Sequence, residues 1–202
     1  MRAALFALAT SLVSVSASAQ SHDINALSHA VAEDLLTRAQ SEERDGQTLR
    51  AESLYLRALE VDRGAVGAWL GAARLLDARG RRDEALGLLR SVPRYALRAA
   101  EARVAVAQAL HAAGESEAAL NLLREEVSPP TLRARVTLCA SLGRFPEALA
   151  AARRWSELGE LSEADRREAA VTARALGRLV AEADAVRFAP DAPALRRLLQ
   201  PR

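Results

Sequence analysis

The chain has 202 residues, half of them hydrophobic but only 3% aromatic, with 28 basic residues against 26 acidic ones. All 28 basic residues are arginine, which excludes any chemistry built on lysine: a phosphate-loop lysine, a kinase-type lysine or a Schiff base. One cysteine excludes a Cys-x-x-Cys redox pair or a cysteine zinc knuckle, and the near-zero net charge of +2 does not suit a nucleic-acid binder.

Taken in order, residues 1–19 have the three parts of a secretory signal peptide. Arg2 supplies the positive start, Ala3 to Val15 the apolar run, and Ala17-Ser18-Ala19 the small-residue cleavage site. The run is about 13 residues, short of the roughly 20 that cross a bilayer. Cleavage leaves Gln20 first and a net charge near +1, so the mature chain is expected to be exported, periplasmic or secreted, with no integral membrane span. No cysteine follows the cleavage site to carry a lipid. Residues 20–31 read as a polar lead-in, which holds His22 and His29. No metal is expected there or elsewhere.

From residue 32 the chain becomes periodic. Gly46, Gly80 and Gly114 are spaced 34 residues apart, and Gly143 and Gly177 are again 34 apart. The clearest copy is Trp69 to Pro93. Trp69, Ala72, Ala73 and Leu76 fall on one helical face, Gly80 supplies a left-handed helix end, and Ala85, Leu86, Leu88, Leu89 and Val92 line a second helix. Five residues after the first four glycines comes an alanine, Ala51, Ala85, Ala119 and Ala148; after Gly177 it is Glu182. A period of this length signals stacked helical hairpins, because one hairpin cannot bury its apolar face alone. The units are bounded at Ala32–Arg63, Val66–Pro93, Ala99–Val127 and Thr131–Leu158, with Pro93 and Pro129-Pro130 between them. Leu161 to Phe188 reads as a weaker fifth hairpin. Residues 189–202 form a tail broken by Pro190 and Pro193, in which Leu195, Leu198 and Leu199 suit a short helix capping the last repeat, or one that docks on a partner.

These units resemble the tetratricopeptide repeat, whose first helix carries an aromatic, Leu-Gly and Tyr, and whose second carries Ala, Phe and Ala. Beside the copy at Gly80, the copy at Gly46 has Leu35 and Ala39, then Ala51, Tyr55 and Ala58 followed by Leu-Glu-Val-Asp. The copy at Gly114 has Val106, Ala107 and Leu110, then Ala119 and Leu123. The copy at Gly143 has Leu132, Val136 and Cys139, then Ala148, Ala152 and Trp155. Beyond Ala169, Ala170 and Ala173 the copy at Gly177 is degenerate. The resemblance implies an all-α fold: a right-handed superhelical stack of helix-turn-helix repeats, an α-solenoid of four to five hairpins over residues 32–188 plus a C-terminal capping helix. The Arg-only, Ala-rich composition fits a GC-rich genome and so an exported bacterial member.

The resemblance also implies a function. In this family the first helices of successive units line a concave groove that grips a protein segment. The groove-facing positions in this register are Gln40, Arg74, Gln108, His111, Arg133, Thr137, Arg167 and Arg174, and the four arginines can pair bidentately with carboxylates of a partner. The family's clamp for a C-terminal carboxylate uses lysine and asparagine. With no lysine, and Asn25 and Asn121 the only asparagines, that clamp is ruled out. No Gly-x-Ser-x-Gly or His-Glu-x-x-His motif occurs. We therefore expect a non-enzymatic protein-binding scaffold without cofactors. The alternative is a structural spacer, or an accessory subunit of a cell-envelope enzyme or assembly complex. Cys139 aligns with Leu110 and is expected to be buried.

Overall fold

The computed structural model describes residues 25–188. The signal peptide and the capping tail expected from the sequence lie outside the described residues. All regular structure among the described residues is helical: α1 (residues 25–44), α2 (Thr48–Val61), α3 (Val66–Ala78), α4 (Arg82–Arg90), α5 (Ala100–Ala112), α6 (Ser116–Arg124), α7 (Pro129–Ser141), α8 (Phe145–Ser156) and α9 (Glu163–Phe188). A 3₁₀ turn at Arg94–Leu97 follows α4. The chain divides into two compact units at Arg98/Ala99. In the first, α2 packs on α3 and α3 on α4; in the second, α5, α6 and α7 contact one another, α7 packs on α8, and α8 on α9.

One turn is used four times. Gly46, Gly80, Gly114 and Gly143 have φ between +70° and +89°, a region that L residues with a Cβ rarely enter. Each glycine N–H donates to the carbonyl three residues back, and the next residue's N–H donates to the carbonyl five back. These outer bonds are Gln47 to Glu42 and Glu115 to Leu110, both 2.8 Å, Arg81 to Leu76 at 2.9 Å, and Arg144 to Cys139 at 2.8 Å. This pairing closes the orphan carbonyls of the first helix. The residue after each glycine also serves as N-cap of the second helix, with φ of −81° to −90° and ψ of 53° to 60° in all four. Helix end and helix start thus share one residue, and every hairpin has the same three-residue connection.

The alanine five places beyond each glycine then meets the first helix. Ala51, Ala85, Ala119 and Ala148 are at most 1% exposed. A larger side chain there would force the two helices apart. Between hairpins the fit is closer still: a Cβ on Gly71 in α3 would lie 2.4 Å from the Tyr55 ring of α2. In the second unit Trp155 fills the core with Leu132 and Ala169. Ser128 and Thr131 form a capping box over Pro129-Pro130, and the buried Thr131 hydroxyl lies 3.0 Å from the carbonyls of Glu126 and Ser128. Cys139 is buried as expected, and burial pushes its thiol pKa up.

One sequence expectation is corrected. Gly177 is not a turn: α9 runs through it for 26 residues, so Leu161 to Phe188 forms one helix rather than a hairpin. A mid-helix glycine costs only about 1 kcal/mol against alanine and does not by itself end a helix. Folding back there would set Glu182, not an alanine, against the first arm. The polar lead-in is likewise helical over residues 25–31, the first turns of α1. His29 within it contacts Asp62 of the α2–α3 connection, Nδ1 to Oδ2 at 3.0 Å, which raises the imidazole pKa and lowers that of the carboxyl.

Candidate functional site

Six residues before each turn glycine the first helices present Gln40, Arg74, Gln108 and Thr137, all exposed. Because the four turns are alike, these positions fall at one register on α1, α3, α5 and α7. The eight positions named from sequence separate into three clefts, and the clefts differ in chemistry.

In the first unit Gln40 and Arg74 line an open cleft of about 530 Å³ with Glu43 and Arg44. Arg74 grips Glu43 with both terminal nitrogens, the Nη2–Oε2 bond being 2.6 Å, and the hydroxyl of Tyr55 donates to the same Oε2 at 3.0 Å. The Arg74 hydrogen bonds hold the Glu43 carboxyl below its usual range. Burial first, and then the Glu43 carboxylate, push Tyr55 up to about 12. Arg44 directs its Nε to the Gln40 carbonyl at 3.2 Å.

The second unit gathers four of the eight. Gln108 and His111 from α5, and Arg133 and Thr137 from α7, rim a cavity of about 400 Å³. Its floor is apolar: Val104, Ala107, Leu123, Pro130, Ala134 and Leu138, with Ser141 at the margin. The rim is partly held by local bonds. His111 Nδ1 lies 2.9 Å from the Ser116 hydroxyl, and Thr137 donates to the Arg133 carbonyl at 3.1 Å. Arg133 Nη2 donates to Asp165 Oδ1 at 2.6 Å and to Glu168 Oε2 at 2.7 Å, both on α9. Its guanidinium carbon lies 5.0 Å from the centre of the Trp155 ring, within the range of a cation–π contact.

The last two positions stand apart. Arg167 and Arg174 lie on α9 in a shallow cleft of about 550 Å³ with Glu163, Arg166, Ala170 and Val171. Arg167 pairs with Glu163 one turn away, and Arg174 Nε donates to the Ala170 carbonyl at 3.2 Å.

Three of the four arginines expected to meet a partner's carboxylates therefore already hold carboxylates of their own chain. What sequence reasoning missed are those carboxylates, Glu43, Asp165, Glu168 and Glu163, together with the apolar floor. A signal was present: Arg74 and Glu43 are 31 residues apart, and Arg133 and Asp165 are 32 apart, close to one repeat. Opposite charges separated by about one period land on neighbouring first helices. Among the described residues no group of three or more His, Cys, Asp or Glu could hold a metal ion, and no helix is long and apolar enough to cross a membrane.

The model of the tetratricopeptide repeat family matches residues 42–99. Among solved structures, a TPR protein described as having an unusual peptide-binding site, YrrB, is 19% identical over 70% of this chain and 74% of its own, with a TM-score of 0.45. MamA is 18% identical over 80% of this chain and 95% of its own, with a TM-score of 0.43. No curated protein sequence matches the chain.

Proposed function

We propose that this tetratricopeptide repeat protein, matched to its family over residues 42–99, is a non-catalytic interaction module that holds a segment of a partner protein against its first helices. One observation carries the reading: α5 and α7, first helices of successive hairpins, leave a cavity of about 400 Å³ with an apolar floor and a polar rim. Such a floor with a few polar groups around it is what anchors one side chain while the rim meets the backbone beside it. An open cavity with an apolar floor and a few polar groups at its rim favours an occupant over a spacer role.

The test places a photo-crosslinking amino acid at Gln108 and, as a reference, at exposed Asn121 on α6. A partner adduct at position 108 that is absent at 121, and that disappears when Ala134→Trp fills the cavity, supports the site. Equal labelling at both positions, or indifference to Ala134→Trp, sinks it.

We also propose that the protein acts outside the cytoplasm, a reading supported by the composition of residues 1–19. Mass spectrometry of the protein recovered from a periplasmic fraction should find Gln20 as its first residue. An intact Met1, confined to the cytoplasm, overturns it.

A further inference from the structure

We infer that the second unit's cavity selects a neutral apolar side chain flanked by a cationic residue, and rejects the acidic segment that an arginine-lined groove suggests. The inference rests on the groove reading above and adds the chemistry of the partner.

Local charge sets this preference. Arg133 is the one guanidinium lining the cavity. Its Nη2 donates to two carboxylates at once, Asp165 and Glu168, at 2.6 and 2.7 Å. One cation between two anions leaves an excess of one negative charge beside Arg133, next to the cavity. Two arginines adjoin these acids in the α9 sequence. Arg167 pairs with Glu163 on its own helix. Arg166 sits about 100° around α9 from Asp165 and about 160° from Glu168 at 3.6 residues per turn. Asp165 is further fixed by the Ser162 hydroxyl, which donates to its Oδ2 at 2.6 Å. Glu168 is the freer of the two, its side chain 53% exposed against 31% for Asp165.

A partner carboxylate approaching Arg133 would have to displace one of these acids and would meet the other at close range. Like charges so placed disfavour binding. A cationic group meets Glu168, which is bonded to Arg133 beside the cavity, with no such rearrangement. The floor of Val104, Ala107, Leu123 and Leu138 offers no polar partner for a charge, so what enters must be apolar. The geometry thus points to a leucine-sized side chain with a lysine or arginine close to it in the partner's sequence.

The test is an amide-shift titration of the isotopically labelled full chain with three peptides: acetyl-Ser-Leu-Gly-Lys-amide and its counterparts ending in Gln and Glu. The Lys peptide is expected to shift the amides of Ala107, Gln108, Ala134 and Thr137 and to bind about threefold tighter than the Gln peptide. The Glu peptide should bind about threefold weaker than the Gln peptide, as suits a rim-exposed pair. Added salt narrows the spread, and Glu168→Gln shrinks the ratio between the Lys and Gln peptides. Equal affinities in the parent chain, or tightest binding by the Glu peptide, overturn the charge inference while the cavity stands as a binding site. Failure of all three peptides to move those amides overturns the groove reading as well.

Discussion

The two units build their first helices with the same turn and use the exposed face differently. In the first, the positions before the turns are Gln40 and Arg74, and a glutamate on the preceding first helix neutralises the arginine one to one, with Tyr55 bonded to the same carboxylate. The cleft there is lined by polar and charged side chains. In the second, the matching positions are Gln108 and Thr137, small or neutral side chains that leave the apolar floor open. Its arginine is displaced to one end, where two acids hold it over Trp155. One register of exposed positions thus yields an internal tie in one unit and a cavity in the other. The choice is made by which residues stand on the neighbouring helix about one repeat away.

The largest effects are expected in the cores beneath the two faces. The two tryptophans are divided between the units, Trp69 in the first and Trp155 in the second. Trp155→Ala should cost about 4 kcal/mol, read as a lower denaturation midpoint by circular dichroism, with Trp69 fluorescence following the first unit alone. A loss below about 1 kcal/mol would remove Trp155 from the role of core. Next is Gly71→Ala, whose added methyl meets the Tyr55 ring at 2.4 Å. Moving the ring should cost about 2 kcal/mol and loosen the Tyr55–Glu43–Arg74 tie. A neutral result would mean that the ring has room to retreat.

A pair of glycine substitutions separates turn from helix. Gly80→Ala should destabilise by about 1 kcal/mol because of its φ of +74°. Gly177→Ala should stabilise by about 0.5–1 kcal/mol, since it lies inside α9 and its nearest neighbour is 4.0 Å away. Equal signs in the two thermal midpoints would contradict the assignment of one as turn and the other as helix interior.

The smallest effect is the pH dependence of the polar cleft. The folded pKa of Glu43 lies below its unfolded value near 4.5, chiefly through the Arg74 hydrogen bonds. A depressed acid pKa contributes stability above the unfolded value and loses it as pH falls through the folded one. Glu43→Gln should therefore flatten the unfolding free energy below pH 4.5 relative to the parent. An unchanged acid limb would show that the tie contributes nothing to stability.

Much of this could be read from the residues. Gly46, Gly80, Gly114 and Gly143, with an alanine five places beyond each, determined four hairpins and their connections, because a left-handed helix end and a close helix approach are local demands that few residue types meet. The face carrying Gln40, Arg74, Gln108 and Thr137 followed from the same spacing, as did the burial of Cys139. Gly177 kept the spacing without the alanine, and only packing decided that the helix continues: a turn forms when the returning arm has something apolar to bury. The fate of the arginines was likewise tertiary. Periodicity places Arg74 and Arg133 on an exposed face, but a long flexible side chain can reach any of several carboxylates. Which one it meets depends on the neighbouring helix about one repeat away, because exposure is set by local periodicity and charge pairing by distance in space.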